Sequence, residues 1–282
     1  MKKFVTMLAA LFALTAFGAG CDKKGGGNFE NYTDVAGKPA DASFSFETDL
    51  GEKQAAYPAG SGRTFYVSAE GSDENDGLSR DKPLKSIAAV NKLQLKAGDS
   101  VCFRGGDTFE GNLYFENLKG EEDEPITFCG YDDENARAHL KGGSSAVKFS
   151  FASNVVVRDL MIEGNSGEYG QSGAVGGNVL EFAYGATEER FENIYIVNNE
   201  VFSNSCENLL FGITISAGAD YETDIPEQVL SHVLISGNTV HTTGRTGIHS
   251  GGWFTKETGN QNACRATDFY DIVVDGNHVY DM

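Results

Sequence analysis

The chain is expected to be all-β and wound as a parallel coil in which each turn pairs with the next. Three observations predict this. Four segments follow one template and start 39 residues apart, at Asn154, Asn193, His232 and Asp271: NVVVRDLMIEGN, NIYIVNNEVFSN, HVLISGNTVHTT and DIVVDGNHVYDM. Three columns of that stack hold only Val or Ile: Val155, Ile194, Val233, Ile272, then Val157, Ile196, Ile235, Val274, then Ile162, Val201, Val240, Val279. A fourth column is Asn199, Asn238, Asn277, with Gly237 and Gly276 before two of its members.

β-Branched side chains favour an extended backbone and pack well on a pleated sheet. The first two apolar columns lie two residues apart, so both point to the same side of a strand. The spacings of three and four that a helix needs are missing. Gly and Asn tolerate left-handed backbone, so each Gly-Asn marks a bend between two short strands. Stacked Asn side chains can hydrogen-bond up a column as a ladder. Leu160 holds this place in the first segment, so the ladder is expected to begin at Asn199. A second strand recurs between the templates, at Val179–Phe182, Gly212–Ile215 and Gly247–Ser250. Its offset slides from repeat to repeat, so each turn holds about three strands and carries loops of variable length.

The N-terminus reads as an address. Lys2-Lys3 precede an apolar run from Phe4 to about Phe17, too short to span a bilayer, and Gly18-Ala19-Gly20-Cys21 follows. Residues 1–20 are expected to be a signal peptide. The segment before Cys21 resembles a bacterial lipoprotein box, although Gly18 stands where Leu is usual. That resemblance implies lipidation at Cys21 and a place in the bacterial cell envelope, as an outer-membrane or cell-surface lipoprotein, with the membrane met only through the lipid. Residues 21–62, with Gly25-Gly26-Gly27 and scattered acids, read as a tether, although Ser43-Phe44-Ser45-Phe46 alternates like a strand. The formal net charge is −19, and removal of residues 1–20 with their two lysines takes it to −21. Such a surface argues against nucleic acid and anionic lipid as electrostatic partners and is neutral about uncharged polysaccharide. Cys102, Cys129, Cys206 and Cys264 fit no zinc spacing, and their pairing is open between disulfides and buried thiols.

From Phe65 the text runs FYVSAEGSDENDGLSRDKPLKSIAAVNKLQLKAGDSVCFRGGDTFEG, with EPITFCGY further on. It holds a strand, a turn-rich loop, a short helix from Ser86 to about Lys92, and a strand after Gly98-Asp99. A repeat stack needs a polar cap, and the short helix is expected to serve as one. This pattern resembles the opening of the right-handed parallel β-helix proteins of the pectate-lyase-like superfamily. The resemblance covers roughly residues 64 to 282. It implies a single right-handed parallel β-helix domain over residues 63–282 with an N-terminal cap helix. It leaves activity open among lyases, hydrolases, epimerases and proteins without an assigned activity. The loop Asp73-Glu74-Asn75-Asp76-Gly77 has part of a calcium-loop pattern, but Gly77 falls where an oxygen ligand is wanted. No metal site is assigned, and calcium remains open as a cofactor.

In proteins of this resemblance, substrate lies along one sheet face beside the longest loops, and the recurring second strand is the expected face. If Leu180, Phe182, Ile213, Ile215, Ile248 and Ser250 point inward, then Glu181, Thr214 and His249 form one outward column. Arg245 lies just before the His249 strand, Trp253 and Lys256 lie after it, and Tyr184 follows the Glu181 strand. Catalysis is expected from Glu181, His249 and Arg245, and substrate binding from Trp253, Tyr184, Thr214 and Lys256. A lyase would use His249 as base with Arg245 or calcium against a uronic carboxylate. A hydrolase would pair Glu181 with Asp220 or Asp224, on the loop that also holds Glu222. His241, in register with Phe202 and Tyr280, reads as part of a packed outer stack.

The leading expectation is an envelope-anchored protein that cleaves an extracellular polysaccharide. The alternatives are a non-catalytic glycan-binding or adhesion β-helix and a polysaccharide epimerase. An open groove over Glu181, Thr214 and His249, walled by Trp253, is expected of an enzyme or glycan binder. Loops 218–230 and 253–269 closing over the column would exclude that site. Met282 falls in mid-turn, so the chain is expected to be truncated at the C-terminus, with catalytic residues potentially beyond it.

Overall fold

The computed structural model describes residues 60–132, 136–165, 177–184, 190–206, 210–219, 229–254 and 268–282, with the backbone alone at 217–219, 251–254 and 268. The signal segment, Cys21 and the tether lie outside these residues. The described chain is a parallel β-solenoid of about five turns, the fold expected from the pectate-lyase-like resemblance.

Three sheets run along it. The first orders Thr64–Val67, Ser100–Arg104, Ile126–Tyr131, Val155–Arg158, Arg190–Val197, Val229–Ser236 and Asp268–Asp275. The second orders Leu113–Glu116, Ser145–Ser150, Asn178–Tyr184, Phe211–Ala219 and Ile248–Phe254. The third orders Thr108–Glu110, Ala138–Lys141, Leu160–Gly164, Glu200–Ser203, Thr239–His241 and His278–Tyr280. Every strand pairing among the described residues is parallel.

The Val/Ile columns fill the interior in the first three repeats, while Val274 and Val279 of the fourth are exposed. Val155, Ile194 and Val233 pair in register, as do Val157, Ile196 and Ile235, and all are 0–1% exposed. Burying each such side chain contributes about 1.5–3 kcal/mol. From the second sheet, Phe115, Phe149 and Phe182 stack at centroid distances of 6.4 and 5.1 Å. Phe128 of the first sheet reaches to 4.8 Å from Phe149 and closes that layer.

The bend before the third sheet uses left-handed backbone in every described repeat: Asp159, Asn198, Gly237 and Gly276 have φ of 59°, 53°, 65° and 60°. The asparagine that follows satisfies the groups this bend leaves unpaired. Asn199 Nδ2 donates to Val157 O at 2.9 Å and Asn238 Nδ2 to Ile196 O at 2.9 Å. Each Oδ1 accepts the backbone N–H of the rung before, so Asn199 Oδ1 receives Leu160 N–H at 3.1 Å and the ladder starts where expected.

The template starts have a backbone role that sequence reading did not assign. Asn154, Asn193, His232 and Asp271 all have positive φ, 51–58°. They kink the first-sheet strands, which begin earlier than expected, at Arg190, Val229 and Asp268. Ser86 caps a single helical turn, Ile87–Val90, by accepting Ala89 N–H at 3.1 Å, shorter than the helix read to about Lys92. Ile87 and Val90 enter the core.

Candidate functional site

The second sheet presents one outward column of five residues. Pairing places Tyr114 beside Lys148, Lys148 beside Glu181, Glu181 beside Thr214, and Thr214 beside His249. The inward neighbours are the apolar Leu113, Val147, Leu180 and Ile213, with Ile248 beyond them. Strand alternation therefore delivers polar groups outward at one rung spacing, ~4.8 Å.

Glu181 is held from three sides. Lys148 Nζ lies 3.3 Å from Oε2, Ser145 Oγ donates to Oε2 at 3.4 Å, and Ser216 Oγ donates to Oε1 at 3.3 Å. Its residue exposure is 8%. Lys148 was missed in the sequence because it precedes the first template. The signal was present all the same, since Val147-Lys148-Phe149 alternates as Leu180-Glu181-Phe182 does.

His249 closes the other end. Its ring centroid lies 5.0 Å from that of Phe211, and the guanidinium carbon of Arg245 lies 4.5 Å from the Phe211 centroid on an exposed residue. Burial, and secondarily the charge of Arg245, hold the imidazole below the ordinary histidine pKa. Its Nδ1 is buried without a hydrogen-bond partner among the described residues. A partly buried imidazole with a lowered pKa can accept a proton, and the nearby Arg245 can steady an anion.

Two expectations need correction. Thr214 is in the expected column but is 1% exposed, and its Oγ1 has no hydrogen-bond partner among the described residues. The face is covered at Thr214 and nearly so at Glu181, so the expected open groove is reduced to its His249 end. Tyr184 does not face substrate. It is 3% exposed, its ring centroid lies 4.6 Å from that of Phe191, and its hydroxyl donates to Ala152 O at 2.9 Å. The alternation that turns Phe182 inward turns Tyr184 inward two residues later. Burial also raises the pKa of its phenol, which stays protonated.

The Trp253 backbone pairs with Gly218, and its side chain lies outside the described residues. Lys256, Asp220, Glu222, Asp224 and Cys264 also lie outside them, as does most of loops 218–230 and 253–269. His241 stacks on Phe202 at 4.9 Å and 5° and on Tyr280 at 5.1 Å and 13°, with Nε2 3.2 Å from Glu200 Oε1. That is the packed outer stack expected. At the cap loop, Asp73 accepts Lys85 N–H at 3.1 Å, Ser86 N–H at 2.9 Å and Ser86 O–H at 2.6 Å, so its oxygens tie this turn to the helix start.

No family model matches the chain. A stretch of 85 residues is 40% identical to part of a lacto-N-biosidase from Bifidobacterium longum subsp. longum, covering 29% of this chain and 5% of that protein. A stretch of 84 residues is 37% identical to the uncharacterized protein YwoF of Bacillus subtilis, covering 30% of this chain and 17% of that protein. Among solved structures, the GH136 lacto-N-biosidase of Eubacterium ramulus superposes with a TM-score of 0.54 at 19% identity, over 83% of this chain and 43% of that one. The structural likeness is one of fold. The chain spans less than half of that structure and at most 17% of the two curated relatives.

Proposed function

We propose that the chain binds an extracellular glycan and cleaves it at the His249 end of the outward column, by β-elimination at a uronic acid residue. The observation that carries this reading is the partly buried imidazole of His249, held below its ordinary pKa by burial and by Arg245. In this reading unprotonated His249 removes the proton beside the uronic carboxylate, and Arg245 neutralises that carboxylate. The C–O bond to the leaving sugar breaks, its electron pair stays on the leaving oxygen, which takes a proton from water, a C=C bond forms in the sugar that remains, and the abstracted proton rests on His249. Glu181 and Lys148 form the polar floor two and three rungs away.

Hydrolysis is the second reading, supported by the 40% identical stretch in a protein named as a lacto-N-biosidase. It assigns Glu181 as one carboxyl group, with Asp220 or Asp224 as the other. The address of the protein is part of the proposal: Lys2-Lys3, the apolar run and Gly18-Ala19-Gly20-Cys21 support export and lipidation at Cys21 in the bacterial envelope.

The test is a screen of the protein on uronate-containing and neutral polysaccharides, reading absorbance of unsaturated products and reducing ends together. Both signals on a uronate polymer are expected. Reducing ends alone would move the assignment to hydrolysis, altered uronate stereochemistry without cleavage to an epimerase, and binding without products to an adhesion protein.

A further inference from the structure

We propose that Cys102 and Cys129 form a disulfide that staples the second and third strands of the first sheet. The two residues are register partners on Ser100–Arg104 and Ile126–Tyr131, 27 positions apart. Adjacent strands lie about 4.8 Å apart, inside the Cα separation that a disulfide spans. The sulfurs already face each other at 2.8 Å, less than ~1 Å beyond bonding distance. Both side chains are buried, at 8% and 3% exposure. Between them the chain completes one turn of the coil through Thr108–Glu110 and Leu113–Glu116, so the bond ties consecutive rungs together.

The neighbourhood sets the order of events. Tyr66 is the register partner of Cys102 on one side, and Arg158 is that of Cys129 on the other. Cys102 is the less deeply buried residue of the two, at 8% against 3%. The hydrogen bond from Cys129 draws the Cys102 thiol below its ordinary pKa, with help from Arg158, while the same bond and burial push Cys129 up. The Cys102 thiolate attacks a low-molecular-weight disulfide such as oxidised glutathione, whose S–S bond breaks and releases one thiol. Cys129 then loses its proton and attacks the Cys102 sulfur of the mixed disulfide, releasing the second thiol. Two protein thiols are oxidised and one small disulfide is reduced. Cys206 is placed differently: it is exposed, with Sγ 3.4 Å from Asp281 O.

The experiment equilibrates the full chain with oxidised glutathione, alkylates it under denaturing conditions without reductant, and maps the peptides. A single cross-linked peptide pair holding Cys102 and Cys129, with Cys206 alkylated or carrying glutathione, is expected. Reduction is expected to lower Tm on the order of 5–10 °C. The Cys102→Ala/Cys129→Ala variant is expected to show no such response to reductant. Alkylation of both cysteines, or linkage of either to another cysteine, would overturn the proposal. The mapping is done on the unmodified chain, so it decides the matter even if the variant does not fold.

Discussion

Glu181 and His249 stand on one outward column with Thr214 in register between them, so two rungs separate a carboxylate from an imidazole. That separation, roughly 10 Å, is too long for a direct hydrogen bond, so the nearly buried Glu181 and the partly exposed His249 act independently.

At the Glu181 end, Lys148 balances a nearly buried carboxylate. Lys148→Met removes the cation and leaves the carboxylate with two serine hydroxyls. The expected loss is about 1–3 kcal/mol in urea unfolding. Lys148→Met/Glu181→Leu is expected to recover part of it, because no uncompensated charge remains.

The asparagine ladder is expected to weaken from its middle. Asn238 donates to Ile196 O and Asn277 Oδ1 and accepts from the backbone and side chain of Asn199. Asn238→Ala is expected to cost about 2–4 kcal/mol in the same assay. Asn277→Ala, on the final described rung, is expected to cost less than half of that.

Tyr184 separates packing from binding. Tyr184→Phe loses one buried hydrogen bond and is expected to cost about 1 kcal/mol with glycan turnover unchanged. A large loss of turnover in that variant, at matched stability, would return Tyr184 to the ligand.

His249 gives the pH dependence its sign. Its folded pKa lies below the unfolded value of about 6.5, so between the two the unfolded chain binds more protons. The stability it contributes is fully present above about pH 6.5 and is lost as pH falls through the folded pKa. An NMR titration of the imidazole is expected to show a midpoint below about 6.5, moving up in Arg245→Gln. A midpoint above 6.5 would remove the basis for a neutral base.

Much of the coil was legible because its signals are local and repeated. Period-two alternation told inward from outward at Leu180-Glu181-Phe182, and the Gly-Asn pairs marked bends later seen at φ 60–65°. The turns before Asn154 were less legible, since strands such as Leu113–Glu116 and Ser145–Ser150 do not follow the 39-residue spacing, and Lys148 was lost with them. Tyr184 was misassigned by treating proximity to Glu181 as direction, against the parity that the chain itself carries. The burial of Thr214, a short side chain between Glu181 and His249, is not encoded by strand alternation.

The most direct test is turnover of the protein against its His249→Gln variant on a uronate-containing polysaccharide, read as unsaturated product. The account predicts that kcat falls about 100-fold or more, with Tm within a few degrees of the parent. Turnover within about threefold of the parent, in a variant that remains folded, would place the chemistry elsewhere in the protein.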